Sequence, residues 1–354
     1  MPETRYKHSV EPVITDGRDI DPSSASLVGE AASQQSSGSA DIHVEQFLAD
    51  GETPRELDSN DPTYYGRPML QRPVWEIDIP IYYYVGGLTG ASLALAAAVQ
   101  LNRSESADRL VRRAHIVGIV GASISGILLV HDLGRPSRFL NMLRVFRPTS
   151  PMNVGAWILA SVAPLAMGSL VFRGRHGMLG TLGEALGVAA GISGLGLATY
   201  TGVLVSNSAI PVWQASRHLL PILFGASAIA SAGGMFALFP HDPAQCFAVR
   251  FGMIGQAAEL VVSHAMERQV SKVPAVGRPL KKGRSGVLWK AAVVFTTAGL
   301  VINLLPGQSR AKRIAAGIFA NLGSFSMRMA IHKAGEASAL DARASFHQQR
   351  AASD

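Results

Sequence analysis

Residues Ile79–Leu101 read IPIYYYVGGLTGASLALAAAVQL, 23 residues without a charged side chain. A helix rises 1.5 Å per residue, so about 20 apolar residues cross the ~30 Å of hydrocarbon in a bilayer. The sequence therefore predicts an all-α fold, a polytopic membrane helix bundle with about eight transmembrane helices, and not a soluble enzyme. The other seven apolar runs are His115–Leu133, Asn153–Phe172, Leu182–Val205, Leu219–Phe239, Ala244–Ala265, Val287–Leu305 and Ile314–Ile331.

The composition agrees with a membrane location. Hydrophobic residues make up 48% of the 354 residues, and charged residues only 16%, against about 25% in a typical soluble domain. Cys246 is the single cysteine. Because an iron–sulfur cluster needs about four cysteine ligands, this chain is not expected to hold one by itself, and a disulfide scaffold is excluded.

Three regions differ in composition. Residues 1–62 contain 13 Asp and Glu against 4 Lys and Arg and are rich in Ser and Gly, which predicts a disordered acidic tail. Residues 63–335 are expected to form the helix bundle, and residues 336–354 a polar C-terminal tail. Residues 1–40 contain no apolar segment typical of a signal peptide, so we expect insertion through the internal apolar runs.

The basic residues predict how the chain crosses the membrane. We call side A the side that holds the N-terminal flank, the loops after the second, fourth and sixth spans, and the C-terminal flank; side B is opposite. Side A has about 15 Lys and Arg and side B about 9. The positive-inside rule places side A, and so both termini, in the cytoplasm of a multi-pass cell-membrane protein. The basic loops indicate contact with membrane lipid and not with nucleic acid.

Polar residues within the apolar runs concentrate near side A. Such groups are costly at membrane depth, so each is a functional candidate. A layer of Tyr, His and acidic side chains suits a lipid-soluble quinone, whose two carbonyl oxygens accept hydrogen bonds and take up protons on reduction. The candidate quinone-binding residues are Asp78, Tyr82, Asp132, Arg135, Tyr200 and His218, and the candidate proton-transfer residues are Glu259 and His264.

Other interpretations of these residues stay open. Asp132 and Arg135 are three residues apart and suit an interfacial ion pair that ends a helix. Tyr82–Tyr84 suit an aromatic belt. The sequence lacks HxxH and HExxH spacings, which argues against a metal site, although two of His131, His218 and His264 suit a b-type haem. A secondary membrane transporter is the other class of function, but the chain shows no convincing internal repeat, and its polar residues avoid the midplane.

Three stretches carry a family resemblance: YYGRPMLQRPVWEIDIPIYYYVGGLTGAS (Tyr64–Ser92), HDLGRPSRFLNMLRVFRPTSPMNVGAW (His131–Trp157) and YTGVLVSNSAIPVWQASRHLLPILFGASA (Tyr200–Ala228). Together they resemble the NrfD/polysulfide-reductase membrane-subunit family. The resemblance implies a quinone-reactive anchor, inactive alone, in a molybdopterin oxidoreductase complex of the formate dehydrogenase or polysulfide reductase type.

The resemblance also implies partners and a site. A subunit with four-cluster ferredoxin-like domains passes electrons between the molybdopterin catalytic subunit and quinone, which is an exchangeable substrate, and the anchor holds no haem. Tyr200 in its YTG context matches the family's quinone-site tyrosine. Polysulfide-reductase anchors use an Asn and a His at the start of the first span, where this chain has Ile79 and Tyr82.

Overall fold

The structure is a computed structural model that describes residues 20–21, 26–27, 70–73, 75, 77–102, 107–240, 244–307 and 309–345. The chain divides into two units, Met1–Pro68 and Met69–Asp354. In the first unit, the two-residue strands β1 (Ile20–Asp21) and β2 (Ser26–Leu27) pair antiparallel. The rest of the predicted disordered tail, residues 1–62, lies outside the described residues.

The second unit is helical. Eight helices in its described part are long and apolar enough to cross a membrane, which confirms the predicted fold class and the multi-pass membrane bundle. Three short helices lie between them, and each begins at a proline. The helices are α1 (Asp78–Leu101), α2 (Asp108–Asp132), α3 (Pro136–Met142), α4 (Pro151–Phe172), α5 (Met178–Ser206), α6 (Pro211–Ala215), α7 (Leu220–Leu238), α8 (Gln245–Val270), α9 (Pro274–Lys281), α10 (Gly283–Leu304) and α11 (Arg310–Leu340).

The eight long helices form two four-helix bundles. In the first, α1 packs on α2 and α5, and α4 packs on the same two helices. In the second, α7 packs on α8 and α11, and α10 packs on the same two helices. The bundles meet where α1 and α5 contact α7 and where α1 contacts α11. Along their most apolar segments, α1 and α7 are 72% buried and α10 only 22%, so the core lies at this junction.

Glycines let α1 and α5 approach closely. A Cβ at Gly90 would overlap the backbone carbonyl of Gly194, and a Cβ at Gly191 would overlap the side chain of Ala97. At Gly86, by contrast, a Cβ would make ordinary contacts, at 3.7 Å from Ser125 Oγ. Small residues therefore set the distance between these two helices, as is common in membrane bundles.

The last helix continues beyond residue 335, where we placed the end of the bundle. It ends at Leu340, and Glu336, Ser338 and Ala339 are buried. Because successive spans run in opposite directions, the end of α11, the start of α1 and the short helices α3, α6 and α9 all lie at side A.

Candidate functional site

Three buried tyrosines form the centre of the site. Tyr82 and Tyr83 lie on α1 and Tyr200 on α5, and the hydroxyl groups of Tyr82 and Tyr200 are hydrogen-bonded to each other. Their rings meet edge to face, with centroids 6.4 Å apart. Gly155 of α4 lies directly against the Tyr200 ring, where a side chain would overlap it. The close approach of α1, α4 and α5 thus holds the Tyr82–Tyr200 pair in the interior.

Two buried hydroxyl groups beside this pair have no hydrogen-bond partner among the described residues: Tyr83 Oη and Ser125 Oγ. Ser125 Oγ of α2 and the Tyr82 ring each lie 3.7 Å from the position that a Cβ at Gly86 would take. The Tyr83 ring packs edge to face on Phe224 of α7, with centroids 5.7 Å apart. A buried hydroxyl without a partner costs about 1–3 kcal/mol, so such groups often mark a place for water or a ligand. We call Tyr82, Tyr83, Tyr200 and Ser125 the tyrosine cluster.

An acidic residue and a histidine form a pair at the side A ends of α1 and α2. His131 lies at the end of α2 and Asp78 at the start of α1. The distance from His131 Nδ1 to Asp78 Oδ2 is 2.6 Å. The His131 side chain is 77% exposed and the Asp78 side chain 18%, so the pair spans from the surface into the bundle. Asp132, which is half-buried, lies within electrostatic range of Tyr83. Of the predicted quinone-binding residues, the structure thus gathers Asp78, Tyr82, Asp132 and Tyr200.

The remaining candidates lie elsewhere. Arg135 is exposed in the residue before α3. His218 is exposed in the loop before α7, where its Nε2 lies 3.0 Å from Arg217 Nε. His264 is exposed on α8, whereas Glu259 on the same helix is buried.

Glu259 lies in the second bundle beside a buried arginine. Its Oε2 has no hydrogen-bond partner among the described residues, and Ser227, Thr296 and Arg328 are its polar neighbours. Arg328 of α11 is fully buried. A buried carboxyl group and a buried guanidinium therefore lie in the same part of the second bundle.

Arg328 joins three helices through hydrogen bonds. Its Nε donates to the carbonyl oxygen of Tyr83 at 2.9 Å, and its Nη2 donates to that of Phe224 at 3.0 Å. Its Nη1 donates to the hydroxyl oxygens of Ser227 and Ser324 at 2.8 and 2.6 Å. The guanidinium of the second bundle therefore holds the backbone of the tyrosine cluster in the first.

Arg328 and Ser125 were not among the residues predicted from sequence, and Tyr83 was considered only as part of the Tyr82–Tyr84 aromatic belt. Arg328 had a usable signal, since it is a charged residue inside the apolar run Ile314–Ile331. Ser125 had none, because small hydroxyl residues are common in membrane helices.

Among the described residues, no group of three or more His, Cys, Asp or Glu side chains lies in an arrangement that suits a metal ion. The three histidines considered for a haem, His131, His218 and His264, are all exposed.

The chain matches a known protein family. Residues 67–337 match the sequence model of the family described as polysulphide reductase, NrfD. The match covers all eight long helices, apart from the last residues of α11. No curated protein matches the chain.

Proposed function

Because the chain belongs to the polysulphide reductase NrfD family, we propose that it is the quinone-reactive membrane subunit of an oxidoreductase complex. The observation that carries the proposal is the pair of unpartnered buried hydroxyls, Tyr83 Oη and Ser125 Oγ, beside the Tyr82–Tyr200 pair. A quinone offers two carbonyl acceptors and no donor, which complements a cluster of hydroxyl donors.

The chemistry of the cluster follows from its donors. Reduction of a quinone to a quinol takes two electrons and two protons. In the Tyr82–Tyr200 hydrogen bond one hydroxyl donates and the other accepts, so the proton of the accepting hydroxyl is left for a substrate carbonyl. Asp78 and His131 provide a proton route between the cluster and side A, since one partner is mostly buried and the other exposed.

We assign the electron supply to partner subunits. In this proposal a four-cluster ferredoxin-like iron–sulfur subunit docks at side A and passes electrons between a molybdopterin catalytic subunit and the quinone. The exposed Arg135 and Arg138 near the Asp78–His131 pair suit such a contact. The chain itself would hold neither haem nor iron–sulfur cluster and would be inactive alone. A complex of the formate dehydrogenase or polysulfide reductase type fits this arrangement.

Glu259 and His264 stay proposed proton-transfer residues. Glu259 is the buried end of such a route, and the exposed His264, further along α8 toward side A, is its outer end. Turnover of the complex in proteoliposomes without any change in membrane potential would speak against this role.

The test is purification of the tagged full-length protein in a mild detergent, followed by mass spectrometry, metal analysis and an absorption spectrum. We expect an iron–sulfur subunit and a molybdenum subunit to co-purify. A Soret band from this chain would instead indicate a b-type cytochrome. A colourless protein without partners would favour a transporter. The structural argument for a transporter is that the helices of the two four-helix bundles pack in the same order.

A further inference from the structure

A group of buried polar atoms lies at the side B end of the first bundle, far from the tyrosine cluster. Its members come from α1, α2 and the end of α4, and none has a hydrogen-bond partner among the described residues: Gln100 Oε1, His115 Nε2, Ser169 Oγ and Arg173 Nη1. We call these four residues the side B cluster. Since buried polar atoms are nearly always hydrogen-bonded, four of them in one place call for partners from outside the chain.

The two innermost oxygens of the side B cluster share one small space. Gln100 Oε1 lies 2.5 Å, and Ser169 Oγ 2.8 Å, from the position that a Cβ at Gly187 of α5 would take. Every atom within 4 Å of that position that belongs to the nearest three is a polar side-chain atom. The first bundle therefore turns polar groups of α1 and α4 toward each other at a glycine of α5.

Exposure falls from the surface into the side B cluster. Asp108, at the start of α2, has a side chain that is 71% exposed, and that of its partner Arg173 is 24% exposed. Arg173 Nη2 donates to Asp108 Oδ1 at 2.8 Å, and Arg173 also lies within electrostatic range of His115. His115 and Ser169 are fully buried. The Asp108–Arg173 pair is thus the outer end of a polar path that leads inward to His115.

Two atoms of the side B cluster are hydrogen-bond acceptors. Gln100 Nε2 donates to the carbonyl oxygen of Glu184 at 3.1 Å, so the remaining atom of this amide is its acceptor oxygen. His115 Nδ1 lies 2.8 Å from the carbonyl oxygen of Val111. Because a carbonyl oxygen only accepts, Nδ1 carries the proton, and Nε2 of the neutral ring presents a lone pair.

The other two atoms have the opposite or a mixed character. Arg173 Nη1 only donates, and the Ser169 hydroxyl both donates and accepts. A metal cation would need acceptors alone, and an anion would need donors alone. Water donates and accepts, and a buried water molecule typically makes about three hydrogen bonds. The side B cluster therefore matches ordered water.

An apolar side chain closes the inner end of this path. Leu93 of α1 is fully buried, and it fills the space over Gly118, three residues after His115 on α2. Further along the same two helices, Thr89 lies against Gly121 in the direction of the tyrosine cluster. Leu93 thus interrupts the line of polar groups between the side B cluster and the quinone site.

We propose that the side B end of the first bundle is a water-filled inlet through which protons exchange between side B and the His115 imidazole. The Asp108–Arg173 pair forms the mouth of the inlet, and Leu93 is its inner end. The Nε2 lone pair of His115 takes up one proton from the water chain to form the imidazolium and returns it by the same path. This inlet does not rest on the quinone assignment, because the tyrosine cluster lies beyond Leu93.

Thiol labelling of the full-length protein in membranes tests for the water. In a Cys246→Ser background, Ser169→Cys places a thiol in the inlet. Val111→Cys is the matched control, since both positions are buried three residues from the side B end of their helix, but Val111 packs in an apolar cluster. With a membrane-impermeant trimethylammonium methanethiosulfonate, we expect Ser169→Cys to react at least about tenfold faster, because a thiol in apolar surroundings stays un-ionised and inert.

Two further results of the labelling are expected. In denatured protein both cysteines should react fully, which shows that both are present. In sealed vesicles the reagent should reach Ser169→Cys from the same side as it reaches native Cys246, which is exposed at side B. Equal slow labelling of Ser169→Cys and Val111→Cys would show a dry polar cluster, and labelling from the side opposite to Cys246 would show access from side A. Either result overturns the inlet.

Hydrogen–deuterium exchange at the C2 position of histidine, read by mass spectrometry, tests for the proton exchange. This exchange depends on the protonation of the ring, so it varies with pH only where water and protons reach the imidazole. In the wild type we expect His115 to exchange with a pH dependence, as His176 does, which is exposed in the loop between α4 and α5. A reactive Ser169→Cys together with no exchange at His115 would show water without proton access, which overturns the proposed role of the inlet.

Discussion

Tyr82 and Tyr200 are separated by 118 residues in the chain, yet their hydroxyls share one buried hydrogen bond. Replacing Tyr200 by Phe removes one hydroxyl and keeps the ring that packs against Gly155. We expect Tyr200→Phe to lower the rate of quinone reduction by the purified complex about 100-fold, the lower end of the range for a lost proton donor. The free energy of unfolding should fall by only about 1 kcal/mol.

Tyr84→Phe is the matched control for this change. The Tyr84 hydroxyl donates to Asn321 Oδ1 on α11 at 2.7 Å, outside the tyrosine cluster. The change removes the same hydroxyl group from a tyrosine of α1 that lies outside the cluster, so the rate should stay at the wild-type value. A wild-type rate for Tyr200→Phe would take Tyr200 out of the site. An equal loss in both variants would indicate a general disturbance of helix packing and not the loss of a proton donor at the site.

The sequence predicted the depth of these side chains but not the helix face on which they lie. Glu259 and His264 are five residues apart, which turns one about 140° from the other around α8. One is therefore buried and the other exposed, although both were assigned to proton transfer. Arg328 was missed although it is a charged residue within an apolar run, and only the packed structure shows the acceptors around its guanidinium.

Among the helices, α1 and α5 carry most of the site, and their distance depends on Gly90. A Cβ there would overlap the Gly194 carbonyl, so Gly90→Ala must push the two helices apart. We expect a loss of about 1–3 kcal/mol in the free energy of unfolding, seen as a lower Tm in detergent. Gly126→Ala on α2 is the control, because nothing lies within 4 Å of its Cβ and alanine is the better helix former. Equal Tm values for the two variants would contradict the close approach of α1 and α5.

All eight membrane-spanning helices were predictable because each is a continuous apolar run of sufficient length. The short helices α3, α6 and α9 were not predicted, since each has only 5–8 residues and local sequence cannot specify so short a helix. The pairing into two bundles was also not predicted. Small residues occur in every span, so they indicate close packing without identifying the partner helix.

Across the whole molecule, the two bundles carry different polar groups. The first contains the tyrosine cluster with the Asp78–His131 pair, and the second contains Glu259 and Arg328. The hydrogen bond from Arg328 to the Tyr83 carbonyl crosses between the bundles. Arg328 of the second bundle therefore helps to fix the backbone of the site in the first, and the site depends on the complete eight-helix unit.

The orientation of this unit in the membrane is predicted from the charge bias alone and can be measured with the single native cysteine. Cys246 is exposed at the start of α8, at side B. If side A is cytoplasmic, a membrane-impermeant maleimide should label Cys246 in intact cells. In a Cys246→Ser background, Ser137→Cys on α3 at side A should be labelled only after the membrane is opened. The reverse pattern would place the proposed iron–sulfur partner outside the cytoplasm, because the docking face and the Asp78–His131 pair lie together at side A. It would leave the tyrosine cluster unchanged, since its geometry depends on helix packing and not on which compartment it faces.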